Sequence, residues 1–318
     1  MQQWLKSYVI ENMENHAFII TAHHQPRLLA RTLKVLEADN HYFYIHINKR
    51  SGELAPFLDA TKGIKNVMFV DRINLYHGDV SQINATLIMI KTALDSGVDF
   101  TYFHQITGQD YPLRSNKQFD EFFEGKTESF MFFDALEKCP DKVYAKIVKK
   151  KMQFRPKTIE GKWKNRLFYL LGMPQIIGLF LQRPSFENFS SGSDFFSLHK
   201  SVIEYILDYN QKHPDYLCQF VNMSSPSEIY YHIMLKPVVE RFQIHTQMPL
   251  RYNSFVAHRK VDTKYRPYDL NELDFDYVMK TPCFFCRKVH EVTSAKLLDM
   301  IDAQRGSEFD ITKYKNIF

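Results

Sequence analysis

Between residues 16 and 115, short apolar runs alternate with segments of helical period. Residues 16–22 (HAFIITA) read as a buried strand. Gln25 and Pro26 then open a helix with Leu28, Leu29, Leu33 and Leu36 on one face. Residues 42–47 (YFYIHI) and 67–70 read as strands, and Ser81 caps a helix carrying Ile83, Leu87, Ile90 and Leu94 on one side. A further strand, 100–106, runs into Thr107, Gly108, Gln109 and Asp110. This alternation predicts an α/β fold with a mostly parallel central sheet flanked by helices. In such sheets ligands bind beyond the carboxyl ends of the strands. Those ends are His23-His24, Asn48-Lys49 and Gln109-Asp110.

The middle of the chain changes character. Residues 142–166 are crowded with Lys and Arg, and Glu160 is the single acid within that stretch. An apolar run, 167–181, follows and is interrupted by Pro174. It is too short to cross a bilayer. It reads either as a solvated basic helix leading into a buried one, or as a flap that meets an anionic surface or an acceptor. The last third contains a turn entering a strand (SGSDFFSL, 191–198), a helix at 200–210, a second at 229–235, a strand at 283–289 and a final helix at 294–303. Ser225, three residues before Glu228, has the spacing of a capping box.

Composition narrows the possibilities. At 318 residues the chain forms one large domain or two intimate ones, and 45% apolar against 24% charged residues excludes global disorder. Aromatics reach 15%, which suits both core filling and stacking on sugar rings. A net charge of +5 does not call for nucleic acid; phosphate-bearing substrates or an anionic membrane surface fit it equally. Four cysteines in a chain this long make no disulfide framework. Cys283 and Cys286 have CxxC spacing but no second ligand pair, and the intervening Phe284 and Phe285 favour a buried strand. Residues 1–10 show no signal-peptide pattern, and no apolar window is long enough to span a membrane.

Seven segments, in this order, resemble the core-2/I-branching N-acetylglucosaminyltransferases, glycosyltransferase family 14, which also contains the protein xylosyltransferases. They are AFIITAHHQPRLLARTL, YFYIHINKRS, HGDVSQINATLIMIKTAL, YFHQITGQDYPLRS, SGSDFFSLHKSVIEYIL, SPSEIYYHIML and FFCRKV. The resemblance implies a single GT-A-like domain over 1–318. Its parts are a nucleotide-sugar-binding half at 16–115, a basic and apolar insertion at 140–185, and an acceptor-binding, catalytic half at 186–318. It also implies an inverting transfer from a UDP-sugar to a glycan or lipid-linked glycan, with no metal and no cofactor. Carried over by position, Glu228 becomes the general base, and Lys288 with Arg266 stabilises the departing diphosphate. His23, Asn48, Tyr76 and His77 fall on the donor side, Asn48 where the family often has Asp. Asp110, Glu187, Ser193, Asp194 and Tyr252 fall on the acceptor side. The short N-terminus implies a bacterial-type, cytoplasmic member, peripheral at the inner membrane face through 142–183.

Inverting transfer needs one base and charge stabilisation on the leaving group. Two cations can replace a divalent ion there. Glu228 suits the base, and it equally suits a helix cap. A helix N-terminus facing the site would hold its carboxylate ionised. Alternation places Arg287 and Lys288 on different faces of a strand, with Lys288 favoured toward the site. Asp274-Phe275-Asp276 spells DxD but reads as a solvated turn or helix start, whereas Gln109-Asp110 holds the place of a vestigial DxD. The histidines at 23, 24, 46, 77 and 104 lack the alternating acids of a metal site. Two other functions stay open at this level: a glycan- or membrane-binding protein that has lost catalysis, and a metal-dependent nucleotidyltransferase.

Overall fold

The computed structural model describes residues 14–134, 159–171, 189–221, 223, 225–254 and 267–306. Glu187, Arg266 and most of 142–183 lie outside the described residues. In chain order the elements are β1 (Asn15–Ala22), α1 (Pro26–Leu36), β2 (His41–Ile47), α2 (Ala55–Ala60), β3 (Val67–Phe69), α3 (Ser81–Asp95), β4 (Phe100–Thr107), β5 (Asp110–Pro112) and α4 (Asn116–Phe123). Then come β6 (Ser129–Phe133), α5 (Ile159–Leu170), β7 (Gly192–His199), α6 (Lys200–Lys212) and α7 (Ser227–Leu235). The chain closes with β8 (Ile244–His245), β9 (Arg251–Asn253), α8 (Phe275–Lys280), β10 (Phe285–Arg287) and α9 (Ala295–Gln304).

A seven-stranded sheet runs β3-β2-β1-β4-β7-β6-β8. The pairings among β3, β2, β1 and β4 are parallel, β7 is antiparallel to both β4 and β6, and β8 is parallel to β6. The expected α/β class with a mostly parallel central sheet is therefore the one observed. Strands from the second half extend the sheet begun by the first, so the two halves share a core.

Alternation along β1 shows how that core is built. Ala17 and Ile19 face one apolar layer with Ile83, Met89 and Ile90 of α3 and Val202 and Ile206 of α6. Phe18, Ile20 and Ala22 face the other, with Leu29 and Leu33 of α1 and Phe119 and Phe123 of α4. Both faces of a central parallel strand are covered, which is why 17–20 is continuously apolar. A second, three-stranded sheet, β5-β10-β9, lies over a smaller core with Val278 of α8 and Leu297, Leu298 and Ile301 of α9. Cys283 and Cys286 are both buried, and burial pushes the Cys283 thiol up to about 12, which leaves it inert at neutral pH. Among the described residues no helix is long and apolar enough to cross a membrane.

Candidate active site

A cleft of about 1000 Å³ opens where the carboxyl ends of β1 and β4, at Thr21 and Thr107, meet the start of α7 and the small sheet. That volume stands at the upper end of what small-molecule sites enclose. Of the residues marked in the sequence, His77, Ser193, Asp194, Glu228 and Tyr252 line it together.

Glu228 reaches the cleft through a local structure that differs from the expected capping box. Ser225 is left-handed, with φ 52°, and α7 begins two residues later with Pro226 as its N-cap and no side-chain cap. Glu228 therefore occupies the first turn as an exposed residue lining the cleft. A negative charge is favoured at that end of a helix. The left-handed turn is fixed by the loop that precedes α3, because the Ser225 amide donates to the Gly78 carbonyl at 3.0 Å. Gly78 itself has φ 68°.

Positive charge enters from the small sheet. Arg251 on β9 donates through Nη2 to the Gln105 carbonyl at 2.7 Å, and its Nε lies 3.0 Å from Asp110. Its guanidinium stacks 3.9 Å from the centroid of Phe195, and Arg287 lies 5.1 Å from the same ring. Arg287 donates to the Thr107 hydroxyl and stands 3.8 Å from Asp110. Burial, reinforced by Arg287 and opposed by Asp110, pulls the Arg251 pKa below its ordinary value, yet a guanidinium stays cationic in proteins. Two guanidiniums share one carboxylate here, so this wall of the cleft, opposite the acids Asp134, Asp194 and Glu228, keeps an excess positive charge against which an anion can dock.

Several sequence expectations meet a different placement. Asp110, expected to touch the acceptor, is fully buried, accepting from the Thr107 amide and pairing with Arg251. It can only position the arginines. Asn48, expected to touch the nucleoside, spends its amide on the loop: Oδ1 accepts from the amides of Arg50 and Leu75, and Nδ2 donates to the Leu75 carbonyl. Of the pair at the end of β10, Arg287 lines the cleft while Lys288 lies 3.5 Å from Asp269. The expected alternation does not reach this pair, because β10 ends at Arg287, and the member that enters the cleft is Arg287 and not the expected Lys288. Lys288 is outside the cleft lining, and its charge acts on His23. His23 keeps an exposed edge, yet desolvation of its inner side, followed by His24, Lys288, Arg287 and His77, pulls its pKa down to about 4. Tyr76 stacks beneath Arg50 at 4.4 Å. Of the two readings of Asp274-Phe275-Asp276, solvated turn or helix start, the helix start holds: Asp274 is buried and completes a capping box with Asn271, and Asp276 is exposed in the first turn of α8.

Arg251 was not legible in the sequence. It sits in a three-residue strand whose pattern is too short to show a face, and only pairing with β10 turns it toward Asp110. Phe195 is equally hidden inside the apolar run SDFFSL.

Comparison with known proteins finds relatives by sequence. Xylosyltransferase 2 of Pan troglodytes is 25% identical over 327 residues, covering 94% of this chain and 35% of that protein. Xylosyltransferase 1 of Canis lupus familiaris is 23% identical over 322 residues, covering 93% and 31%. The chain thus spans about a third of the length of the curated relatives it matches. Among solved structures, that of the galactosyltransferase LgtC with donor and acceptor sugar analogues superposes with a TM-score of 0.39 at 8% identity, over 96% of this chain and all of that one. The family model described as Core-2/I-Branching enzyme matches residues 16–278, most of the chain. This protein belongs to the Core-2/I-Branching enzyme family.

Proposed function

We propose that the chain is an inverting, metal-independent glycosyltransferase that moves a sugar from a UDP-sugar to a hydroxyl of a glycan. The observation that carries this reading is one cleft that holds Glu228 at a helix start together with Arg251 and Arg287. Glu228 takes the proton from the acceptor hydroxyl as its oxygen bonds to the anomeric carbon. The bond from that carbon to the β-phosphate oxygen breaks, and the charge left on UDP is met by guanidiniums that are already oriented. Arg287 and Arg251 take this role, with Lys288 adding positive charge from outside the cleft lining and Arg266 from outside the described residues. His23, His77 and Tyr76 stand on the donor side; Ser193, Asp194 and Tyr252 face the acceptor. N-acetylglucosamine and xylose are the donor sugars that the family and the relatives' names put forward.

A thermal-shift series tests this, with UDP, UDP-N-acetylglucosamine, UDP-xylose, UDP-glucose and UDP-galactose, each with and without EDTA. A ligand at 100 times its Kd stabilises by about 2.7 kcal/mol. The expected result is a UDP shift that is the same with and without chelator. A shift that needs Mn²⁺ overturns the arginine scheme, and UDP binding without transfer to any acceptor favours the binding protein that has lost catalysis.

A second reading concerns the acceptor. On α5, Trp163, Leu167 and Leu170 are exposed, as is Leu171 just after it, beside Lys162, Lys164 and Arg166. Apolar side chains in water beside basic ones match an anionic lipid surface. We infer that this face meets the membrane and brings a lipid-linked acceptor near the cleft. Flotation with vesicles containing anionic lipid should carry the chain upward and fail for Trp163→Ser; equal flotation of the two rejects it.

A further inference from the structure

The amino end of the central sheet holds a second polar cluster that sugar transfer does not use. His16 and His41 are cross-strand partners at the starts of β1 and β2, His104 lies on β4, and Asp120 reaches them from α4. The three histidines are 1%, 0% and 0% exposed, and the rings of Phe18, Phe119, Phe123 and Tyr102 pack around them. Asp120 keeps a 31% exposed side chain.

Hydrogen-bond directions define what this cluster lacks. His41 Nδ1 lies 2.7 Å from the Leu36 carbonyl oxygen, which can only accept, so Nδ1 carries the proton. In the neutral ring Nε2 then presents a lone pair, and it stands 2.8 Å from Asp120 Oδ1. His16 Nδ1 lies 3.0 Å from His104 Nε2, and His104 Nδ1 lies 2.9 Å from the Ser197 hydroxyl. When each Nδ1 in that chain donates, His16 Nε2 becomes a second lone pair turned on the same Asp120 oxygen, at 3.7 Å. In that tautomer two imidazole lone pairs and a carboxylate converge, and a cation among them removes the repulsion.

We propose that His16 Nε2, His41 Nε2 and Asp120 Oδ1 bind a divalent cation of the zinc class. The three atoms lie within 4.8 Å of one another, and among the described residues this is the group that meets that test. Zinc bonds of about 2.0–2.2 Å to nitrogen and carboxylate oxygen need only a small opening of the His41–Asp120 contact. Each histidine already gives its other nitrogen to a partner, as metal-bound histidines do: Leu36 carbonyl for His41 and His104 for His16. The exposed side of Asp120 leaves a fourth position for water. The ion staples β1 and β2 to α4. It is remote from transfer chemistry, since His16 precedes the cleft residue Thr21 by about 17 Å of strand.

The test uses the full chain, stripped with chelator, dialysed and titrated with Zn²⁺ and with Co²⁺. One equivalent should bind, raise the melting temperature and give cobalt the visible absorption of a four-coordinate site. His41→Ala and Asp120→Asn should lose all three, and Glu228→Gln should keep them. Asp120→Asn is close in shape and part-exposed, so it keeps the test decisive where His41→Ala fails to fold. Absence of stoichiometric binding, or equal binding by Asp120→Asn, overturns the site and leaves a proton as the bridging cation. The UDP-induced shift, read on the same samples, fails or survives independently.

Discussion

The two ends of the central sheet use the same side chains to different ends. At the amino end, His16, His41 and His104 are sealed among aromatic rings, hydrogen bonds tie them to one another, to Ser197, to the Leu36 carbonyl and to Asp120, and that partly exposed carboxylate connects them to water. At the carboxyl end, His23 and His77 are exposed, and the buried groups are an Asp110–Arg251 pair that supports a charged wall. Sealing makes histidine a structural ligand or hydrogen-bond relay. Opening makes it part of an electropositive rim. The difference teaches that residue type alone does not mark chemistry in this fold; the direction in which the strand runs does, because loops and the start of α7 gather only at the carboxyl ends.

The comparison breaks hardest at the cleft. Glu228→Gln should lower transfer by about 10²–10⁴-fold while UDP still shifts the melt, measured as initial rate against thermal shift. Retained rate would remove the base from the proposed scheme. Asp110→Ala comes next: it strands Arg251 in a buried site and should cost about 3–5 kcal/mol in denaturant unfolding. A loss under about 1 kcal/mol would show that Arg251 finds water instead.

Acid should expose a third contrast, at His46 on β2. Its Nε2 accepts from the Ile73 amide at 2.9 Å, and burial, with Arg72 adding to it, pulls its pKa down to about 4. The unfolded chain binds this proton at 6.5 and the folded chain only near 4. The stability is therefore fully present above pH 6.5 and falls as pH drops toward 4, by on the order of 3 kcal/mol. Urea midpoints over that window should fall less steeply in His46→Gln. Gly192→Ala is smaller. A Cβ there would meet the Phe132 carbonyl oxygen at 2.1 Å and His232 Nε2 at 2.6 Å, so β7 must move away from β6. The expected destabilisation is about 1–3 kcal/mol, with acceptor KM rising because Ser193 and Asp194 follow directly. Trp163→Ser should change stability by less than about 0.5 kcal/mol, so any loss of vesicle binding is read at the surface.

Much of the fold was legible from local pattern. The run at 16–22 reads as a buried strand, and Leu28, Leu29, Leu33 and Leu36 as the inner side of a helix; all of these residues but Thr21, which opens on the cleft, were found buried. The sequence also marked Glu228, His77, Asp194 and Tyr252, which share one cleft. What it could not state was direction. Ser225 at left-handed φ replaced the expected cap because Gly78, far away in the chain, holds its amide. Asp110 turned inward because Arg251, again distant, supplies its counter-charge. Arg287 rather than Lys288 lines the cleft because β10 pairs between β5 and β9. Periodicity is a property of neighbours in sequence, so it determined the elements and their buried faces. Which polar group meets water and which meets another charge depends on partners tens to hundreds of residues away, and only the packed tertiary structure decides that.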